Sequence, residues 1–213
     1  MLDDLKFDDI ELNIDFEYTT KDDEEKEGPV KKQILEVLCL ERKNKNVYRR
    51  AFSELQLVNL ELDFKEGYSY NFITGGDIDG LSYLSLMLRY QELDYCLFST
   101  WCMAMDDILQ IEEWLESGKI KKIDAYVGEI FPGSYKREHI ELKRIMKKYD
   151  GKLVVFRNHS KIFAGYGDKF HFGIQTSANI NTNPRTENGC ITIGKEIYDF
   201  YKDFFDGIIS IAK

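Results

Sequence analysis

The sequence predicts an α/β fold: a mixed, mostly parallel sheet flanked by helices on both faces. From about residue 68, strand-like segments alternate with amphipathic segments of helical length, the pattern of parallel strands joined by covering helices. After residue 158 the pattern changes to two strand-like segments with a short Gly-rich connection, which predicts an antiparallel addition. With 213 residues, of which 43% are hydrophobic, the chain can bury one sizeable core.

The predicted elements follow one another in a regular order. Strand patterns cover residues 57–64, 68–74, 94–102, 122–130 and 152–158, and then the two hairpin strands 159–167 and 168–179. Apolar residues at helical spacing predict helices over residues 33–55, 80–90, 105–118, 136–151 and 195–211, the first with a break near residues 44–46. Asp77 or Asp79 can cap the second of these helices, and Gly118 is the expected stop of the third. Core packing is the expected role of both tryptophans, Trp101 and Trp114.

Composition divides the chain into three parts. Residues 1–32 form an acidic leader and linker, since the first 30 residues contain twelve acidic and three basic side chains. Residues 33–67 are expected to form a helix and strand extension packed on the main domain. That main domain covers residues 68–213.

Several features favour a cytoplasmic protein without membrane association. No apolar run approaches the roughly 18 residues that cross a bilayer. The N-terminus is acidic where a secretion signal is basic. The four cysteines have no CxxC spacing, which argues against a zinc site or a disulfide framework. We expect them to be reduced core residues: Cys39, Cys96, Cys102 and Cys190.

Basic residues concentrate between residues 119 and 169. This segment contains thirteen Lys or Arg against six Asp or Glu. The surplus can attract a phosphate-rich substrate. The alternative is that most of these charges belong to solvated helix faces. The sequence leaves both interpretations open.

A group of polar residues lies on the predicted hairpin. His159 and Lys161 are two positions apart, so their side chains emerge from the same face of a strand, and Ser177 and Asn179 repeat this relation on the next strand. If the strands pair, the four side chains converge. Lysine supplies positive charge, the hydroxyl and amide donate hydrogen bonds, and the imidazole can attack phosphorus or deliver a proton. Glu187 can hold one imidazole nitrogen and leave the other free to react.

This succession resembles the HxK(x)4D(x)6GSxN signature of the phospholipase D superfamily. The order of strands and helices from about residue 68 to 206, roughly two thirds of the chain, is similar to that of its single-motif bacterial endonucleases. The resemblance implies a phospholipase D-like fold in which His159 is the nucleophile that forms a phosphohistidine. It implies that Lys161 and Asn179 bind the phosphoryl oxygens, that Ser177 supports them by hydrogen bonding, and that Glu187 orients the imidazole.

Two positions depart from that signature. Tyr166 stands where the family has its aspartate, with Asp168 the nearest acid, and Thr176 stands where a glycine is usual. The lysine and the serine are sixteen positions apart instead of thirteen, a difference that a longer hairpin tip can absorb. In the family this aspartate serves structure more than chemistry, so the departure weakens the sequence match more than the mechanism.

The chemistry that the resemblance implies needs two imidazoles, one to attack and one to protonate the leaving oxygen. The chain has three histidines, and neither His139 nor His171 is followed by a lysine two positions later. The resemblance therefore implies a homodimer that brings together two copies of His159 across a two-fold axis. It implies no metal and no other cofactor.

Nucleic acid is the expected substrate, and metal-independent endonuclease cleavage the expected activity. Arg157, Arg185 and Thr176 flank the motif and are the expected substrate-binding residues. One alternative is a catalytically silent module that binds nucleic acid or a partner protein. A second is a phospholipid phosphodiesterase, against which the lack of an evident apolar lip or anchor argues.

Overall fold

The computed structural model describes residues 55–211, apart from residues 56, 58, 77, 182 and 183. These residues belong to one compact unit. Within them, the strands are β1 Ser69–Thr74, β2 Leu93–Thr100, β3 Ile123–Gly128, β4 Leu153–Phe156, β5 Ile162–Gly167, β6 His171–Thr176 and β7 Glu187–Ile193. The helices are α1 Gly80–Tyr90, α2 Met105–Glu116, α3 Phe131–Ser134, α4 Lys136–Lys148 and α5 Lys195–Asp206.

The seven strands form one mixed sheet in the order β1-β7-β6-β5-β2-β3-β4. Five strands point the same way and two, β5 and β7, run against them. The predicted α/β class and mixed sheet are confirmed. Only the β2–β3 and β3–β4 neighbours are parallel, however, because β5 and β7 are inserted between strands of the common direction.

Helices cover both faces of the sheet, as predicted. On one face, α1, α2 and α4 share a continuous buried core with the strands. On the other face, α5 packs three aromatic side chains, Tyr198, Tyr201 and Phe205, on the sheet. Their spacing of three and four positions puts them on one side of the helix.

The start of α1 and the end of α2 lie where a capping residue and a glycine in the sequence predict them. Asp79 is the N-cap of α1, and its carboxylate accepts hydrogen bonds from the backbone N–H groups of Leu81 (2.9 Å) and Ser82 (3.0 Å). Beyond α2, Gly118 has a φ of 75°, a left-handed conformation that favours glycine. The cap and the stop are therefore both confirmed.

Two predictions of strands need correction. Asn59 and Leu60 form a turn, and residues 61–65 have no regular structure where residues 57–64 were expected to alternate as a strand. Leu62 and Phe64 pack against the core instead, so burial of apolar side chains produces the alternation without strand pairing. The hairpin strands are also shorter than predicted, and the motif residues lie just beyond their ends. The predicted leader, residues 1–32, and the helix predicted at 33–55, except for Leu55, lie outside the described residues.

Candidate active site

The predicted site residues meet at one end of the sheet, where β2, β3 and β4 finish; we call this the carboxyl end. Because β5 and β7 run in the opposite direction, they begin here, at Ile162 and Glu187, while β6 ends here at Thr176. Ligands of open α/β sheets bind at the carboxyl ends of the parallel strands. The segments 157–161 and 177–181 are therefore placed where such a sheet binds ligands.

Backbone hydrogen bonds continue the pairing beyond the strand ends. The N–H of Thr176 donates to the carbonyl of Lys161 (3.1 Å), and the N–H of Ser177 donates to the carbonyl of Asn188 (3.0 Å). The HxK and SxN segments are thus neighbours, as the hairpin prediction requires. They are extensions of the ladder rather than parts of regular strands.

His159 and Lys161 contact each other directly. Lys161 Nζ lies 2.6 Å from the carbonyl oxygen of His159 and 3.2 Å from its Nδ1. His159 is exposed, whereas Lys161 is only 7% exposed. When Lys161 is protonated it has only donors, so Nδ1 accepts in this contact; when it is neutral, either nitrogen can be the donor.

The environment of Lys161 disfavours its charged form. Burial lowers the pKa of Lys161, and the negative charges that Cys102 and Glu187 can carry oppose this effect. The ammonium group is therefore held at the site without full solvation. A bound anion would provide the missing counter-charge.

Ser177 and Glu187 form a second pair at this end of the sheet. Ser177 Oγ donates to Glu187 Oε2 and accepts from the backbone N–H of Asn188 at 3.0 Å. Glu187 is half-buried at the first position of β7. The hydroxyl consequently restricts the position of the carboxylate.

Asn179 joins the loop after β6 to the start of α1. Its carbonyl oxygen accepts from the N–H of Gly80 (3.1 Å). Its side-chain Oδ1 is buried and has no hydrogen-bond partner among the described residues. A buried polar atom without a partner costs folding free energy, so its retention requires an explanation.

The three predicted substrate-binding residues have different settings. Thr176 Oγ1 donates to the carbonyl of Asn188 (2.8 Å) and accepts from the N–H of Ala178 (3.1 Å), which stabilises the turn after β6. Arg157 and Arg185 are both exposed, one just after β4 and the other just before β7. Both arginines therefore lie at the carboxyl end of the sheet.

Asn158 is a structural residue of the site that the sequence did not single out. It is buried, and its Nδ2 donates to Ser99 Oγ (2.8 Å) and to the carbonyl of Thr100 (3.2 Å). Its Oδ1 accepts from both the backbone N–H (2.9 Å) and the hydroxyl (2.7 Å) of Ser160. These bonds fasten the loop that carries His159 to the end of β2. The only signal in the sequence is an amide that follows a buried strand and precedes the motif.

The prediction that both tryptophans pack in the core is confirmed for Trp114 and in part for Trp101, which packs against the edge of the main core. Trp114 is buried, but Trp101 is half-buried, and its ring centroid lies 5.4 Å from that of His159. The strand predicted at 94–102 ends at Thr100, so Trp101 lies just beyond it. Sequence pattern alone does not distinguish these two outcomes for an aromatic residue at a strand end.

The other two histidines have different neighbours from those of His159. His171 is at the start of β6, stacked on Tyr166 with ring centroids 5.1 Å apart. At about 3.3 Å per strand residue, it is roughly 15–20 Å from the other end of β6. His139 lies within α4, edge-on to Phe131. All three histidines of the chain are described: His171 lies at the opposite end of the sheet from His159, and His139 packs against Phe131 in the first turn of α4.

No group of three or more His, Cys, Asp or Glu side chains in the described part of the chain is arranged to hold a metal ion. Within the same ranges, no helix has both the length and the apolar character needed to span a bilayer.

Comparison with solved structures finds similar architectures at low sequence identity. Polyphosphate kinase from Porphyromonas gingivalis is 15% identical over 70% of this chain and 25% of its own, with a TM-score of 0.48. TrmBL2, an archaeal chromatin protein, is 13% identical over 76% of this chain and 59% of its own, with a TM-score of 0.45. NucT from Helicobacter pylori is 14% identical over 65% of this chain and 94% of its own, with a TM-score of 0.44.

This chain thus spans about a quarter of the polyphosphate kinase and less than two thirds of the archaeal protein. No protein-family model and no curated protein matches the sequence. Its function therefore has to be inferred from its own site.

Proposed function

We propose that this protein is a phosphodiesterase that cleaves nucleic acid through a phosphohistidine on His159, without a metal ion. The observation that carries the proposal is the pair at the carboxyl end of the sheet, with Lys161 Nζ 3.2 Å from Nδ1 of an exposed His159. A nucleophile next to a fixed positive charge is the arrangement that attack on a phosphodiester needs. The likeness of the motif to the phospholipase D signature supports the same chemistry.

Phosphate binding comes first in the proposed mechanism. Lys161 is buried, lacks full solvation and gains a counter-charge when an anion binds. We expect the substrate to draw Nζ from His159 Nδ1 to a phosphoryl oxygen. The Asn179 amide, whose oxygen has no partner in the described part of the chain, is free to turn its NH₂ group toward the same phosphate.

Two chemical steps follow. Once Lys161 has left Nδ1, that nitrogen can carry the ring proton and donate it to Glu187 as a hydrogen bond, which leaves Nε2 with a lone pair. Nε2 attacks phosphorus, the new P–N bond replaces the P–O bond to the leaving oxygen, and a second imidazole protonates that oxygen. The second imidazole then removes a proton from water, whose oxygen attacks phosphorus and releases His159.

We propose that the second imidazole comes from a second copy of this chain. His139 and His171 are directed into other packing environments, against Phe131 and against Tyr166. A second copy related by a two-fold axis would place another His159 on the opposite side of the phosphate. We therefore include a homodimer in the proposal.

Nucleic acid is the proposed substrate because exposed basic residues surround the site. Arg157 and Arg185 flank it, and Lys136 and Arg137 are exposed at the start of α4, which is also at the carboxyl end. Contacts of this kind neutralise phosphates and hold a strand without reading its sequence.

The test is cleavage of single- and double-stranded DNA by the purified protein in the presence of EDTA. We expect cleavage without added metal, and we expect His159→Ala to reduce the rate by more than about a thousandfold, as loss of a covalent nucleophile does elsewhere. His139→Gln is the matched control and should keep full activity. Cleavage that depends on Mg²⁺, or that survives His159→Ala, contradicts the proposal.

A second function is favoured by one observation. When Lys161 is protonated, its contact on Nδ1 leaves the ring proton on Nε2, the nitrogen that has to attack. If the lysine stays there when phosphate binds, the protein is a nucleic-acid-binding module without turnover. Binding without cleavage in the same experiment, reduced by Lys161→Met, identifies this function.

A further inference from the structure

Trp101 is half-buried: it packs against the main hydrophobic core and lies beside His159 at the carboxyl end of the sheet. It follows β2 directly, and its ring is tilted by 55° to that of His159 at a centroid distance of 5.4 Å. The other tryptophan, Trp114, is only 6% exposed, so the two indoles of the chain differ in exposure. The partial exposure of Trp101 beside the proposed nucleophile therefore calls for a role.

The position of Trp101 is firmly held. Gly128, at the end of β3, leaves the space that the indole needs, because a Cβ atom there would lie 2.8 Å from Trp101 Cδ1 and 2.9 Å from its carbonyl oxygen. The residues on both sides are hydrogen-bonded: Thr100 Oγ1 donates to the carbonyl of Cys102 (2.8 Å), and the Thr100 carbonyl accepts from Asn158 (3.2 Å). The same Asn158 also accepts from the backbone N–H of Ser160, so the backbone segments that carry the indole and the imidazole are tied to one buried residue.

We infer that Trp101 is the stacking platform for one unpaired nucleobase beside the phosphodiester that His159 attacks. This inference rests on the proposed function and narrows its substrate to single-stranded nucleic acid. An indole face binds any base by stacking, without sequence preference. A base inside a duplex is already paired and stacked and would have to be extruded first, at a cost of a few kcal/mol in the substrate.

If Trp101 stacks on a base, the affinity for a strand depends on whether that strand carries bases. Charge contacts alone do not predict this dependence. Phosphate contacts by lysine and arginine depend on the backbone, which is the same with or without bases. Stacking of one base on an aromatic side chain is worth about fivefold to 150-fold in affinity. A single strand with bases should therefore bind more tightly than an abasic strand by this factor.

The experiment measures binding of three DNA probes to a His159→Asn variant, which cannot cleave them by the proposed mechanism. The probes are an oligothymidylate of about eight nucleotides, the same backbone with tetrahydrofuran abasic residues, and a duplex of that length. Each is titrated against the parent variant and against the added substitutions Trp101→Phe and Trp101→Leu. We expect Trp101→Leu to abolish the preference for the base-carrying strand, Trp101→Phe to keep part of it, and neither to change abasic binding.

Fluorescence supplies a second readout. The chain has two tryptophans, so Trp114→Phe in the same background leaves Trp101 as the only reporter. We expect its emission to be quenched by oligothymidylate and unchanged by the abasic strand. If Trp114→Phe does not fold, the comparison is made by subtracting the Trp101→Phe signal from that of the parent.

The outcomes separate this inference from the proposed function. Equal binding of the first two probes, an equal loss for both in Trp101→Leu, or tighter binding of the duplex than of oligothymidylate overturns the stacking role. The native protein could fail to cleave DNA while the variants still show a preference for the base-carrying strand that disappears in Trp101→Leu. This result supports the stacking platform and overturns only the nuclease activity. Failure of all three probes to bind overturns both.

Discussion

Lys161 combines a structural cost with a proposed functional gain. It is 7% exposed, and burial lowers its pKa. Such a lysine has a lower pKa in the folded protein than in the unfolded chain. At a pH between these two values, it binds fewer protons in the folded protein than in the unfolded chain. Stability then rises with pH across that window, so at neutral pH the charged Lys161 destabilises the fold. Its position is best explained by phosphate binding, which needs the charge.

The pH dependence of cleavage tests this interpretation at the residue scale. Phosphate binding needs protonated Lys161, so kcat/KM should fall at alkaline pH, and the fall should begin below the pKa of 10.5 of an unperturbed lysine. Arginine keeps its proton throughout this range. Lys161→Arg should therefore lose the alkaline limb while cleaving more slowly at neutral pH. If the native protein and Lys161→Arg show the same fall of kcat/KM at alkaline pH, another group causes that fall.

Two buried tyrosines form a matched pair for a stability prediction. Tyr83 Oη has no hydrogen-bond partner within the described ranges, and burial, together with Glu187, raises the pKa of Tyr83 to about 12. Tyr95 Oη donates to Asp124 Oδ2 at 2.7 Å, and Asp124 is buried. Removing an unsatisfied hydroxyl relieves a cost, whereas removing a partner leaves a buried carboxylate oxygen unpaired.

We expect Tyr83→Phe to leave the free energy of unfolding unchanged or to raise it by up to about 1 kcal/mol, and Tyr95→Phe to lower it by about 1–3 kcal/mol. Urea denaturation followed by circular dichroism measures both changes. Equal destabilisation by the two substitutions would show that the Tyr83 hydroxyl has a partner.

At the scale of elements, the packing of β7 against α1 supports the strand that carries Glu187. Gly189 pairs with Phe72 of β1 and Thr176 of β6, and a Cβ atom there would lie 2.5 Å from Cζ and Oη of Tyr83. The ring of Tyr83 therefore fills the space above Gly189, two residues from Glu187. A larger residue in β7 has to move either the helix or the strand that carries the carboxylate.

Gly189→Ala tests this packing. We expect it to lower the free energy of unfolding by about 1–3 kcal/mol through overpacking and to reduce cleavage. Combining it with Tyr83→Leu should cost less than the sum of the two single changes. Gly133→Ala in α3 is the matched control, since a Cβ atom there meets nothing within 4 Å. Additive costs would place the strain elsewhere.

At the scale of the whole molecule, the proposed site is complete only in a dimer. Mixed dimers test this directly, through co-refolding of wild-type and His159→Ala chains at a constant total concentration. With equal amounts, about a quarter of the dimers carry two intact chains. If both imidazoles serve one phosphate, activity should fall to about a quarter of the wild-type value, and if each chain works alone it should fall to about half. Mixing with His139→Gln, the control, should leave activity unchanged.

Local patterns predicted much of the fold. Alternating apolar segments located the strands and the helices of the main domain, because periodicity depends only on which side of each element is buried. Asp79 and Gly118 marked helix ends, since caps and left-handed stops act over a few residues. The same reasoning failed at residues 59–64, where apolar side chains pack on the core without forming a strand.

The site was predicted in its residue types and only partly in its geometry. The sequence by itself determined that an HxK segment and an SxN segment flank a hairpin, because pairing of adjacent strands brings their ends together. Only the tertiary structure decided that Lys161 contacts His159 Nδ1, that Ser177 holds Glu187, and that Asn158 fastens the loop that carries His159. The first contact depends on the side-chain conformations of two residues two positions apart, the second joins the end of β6 to the start of β7, and the third joins the His159 loop to the end of β2. No local pattern specifies where these side chains meet.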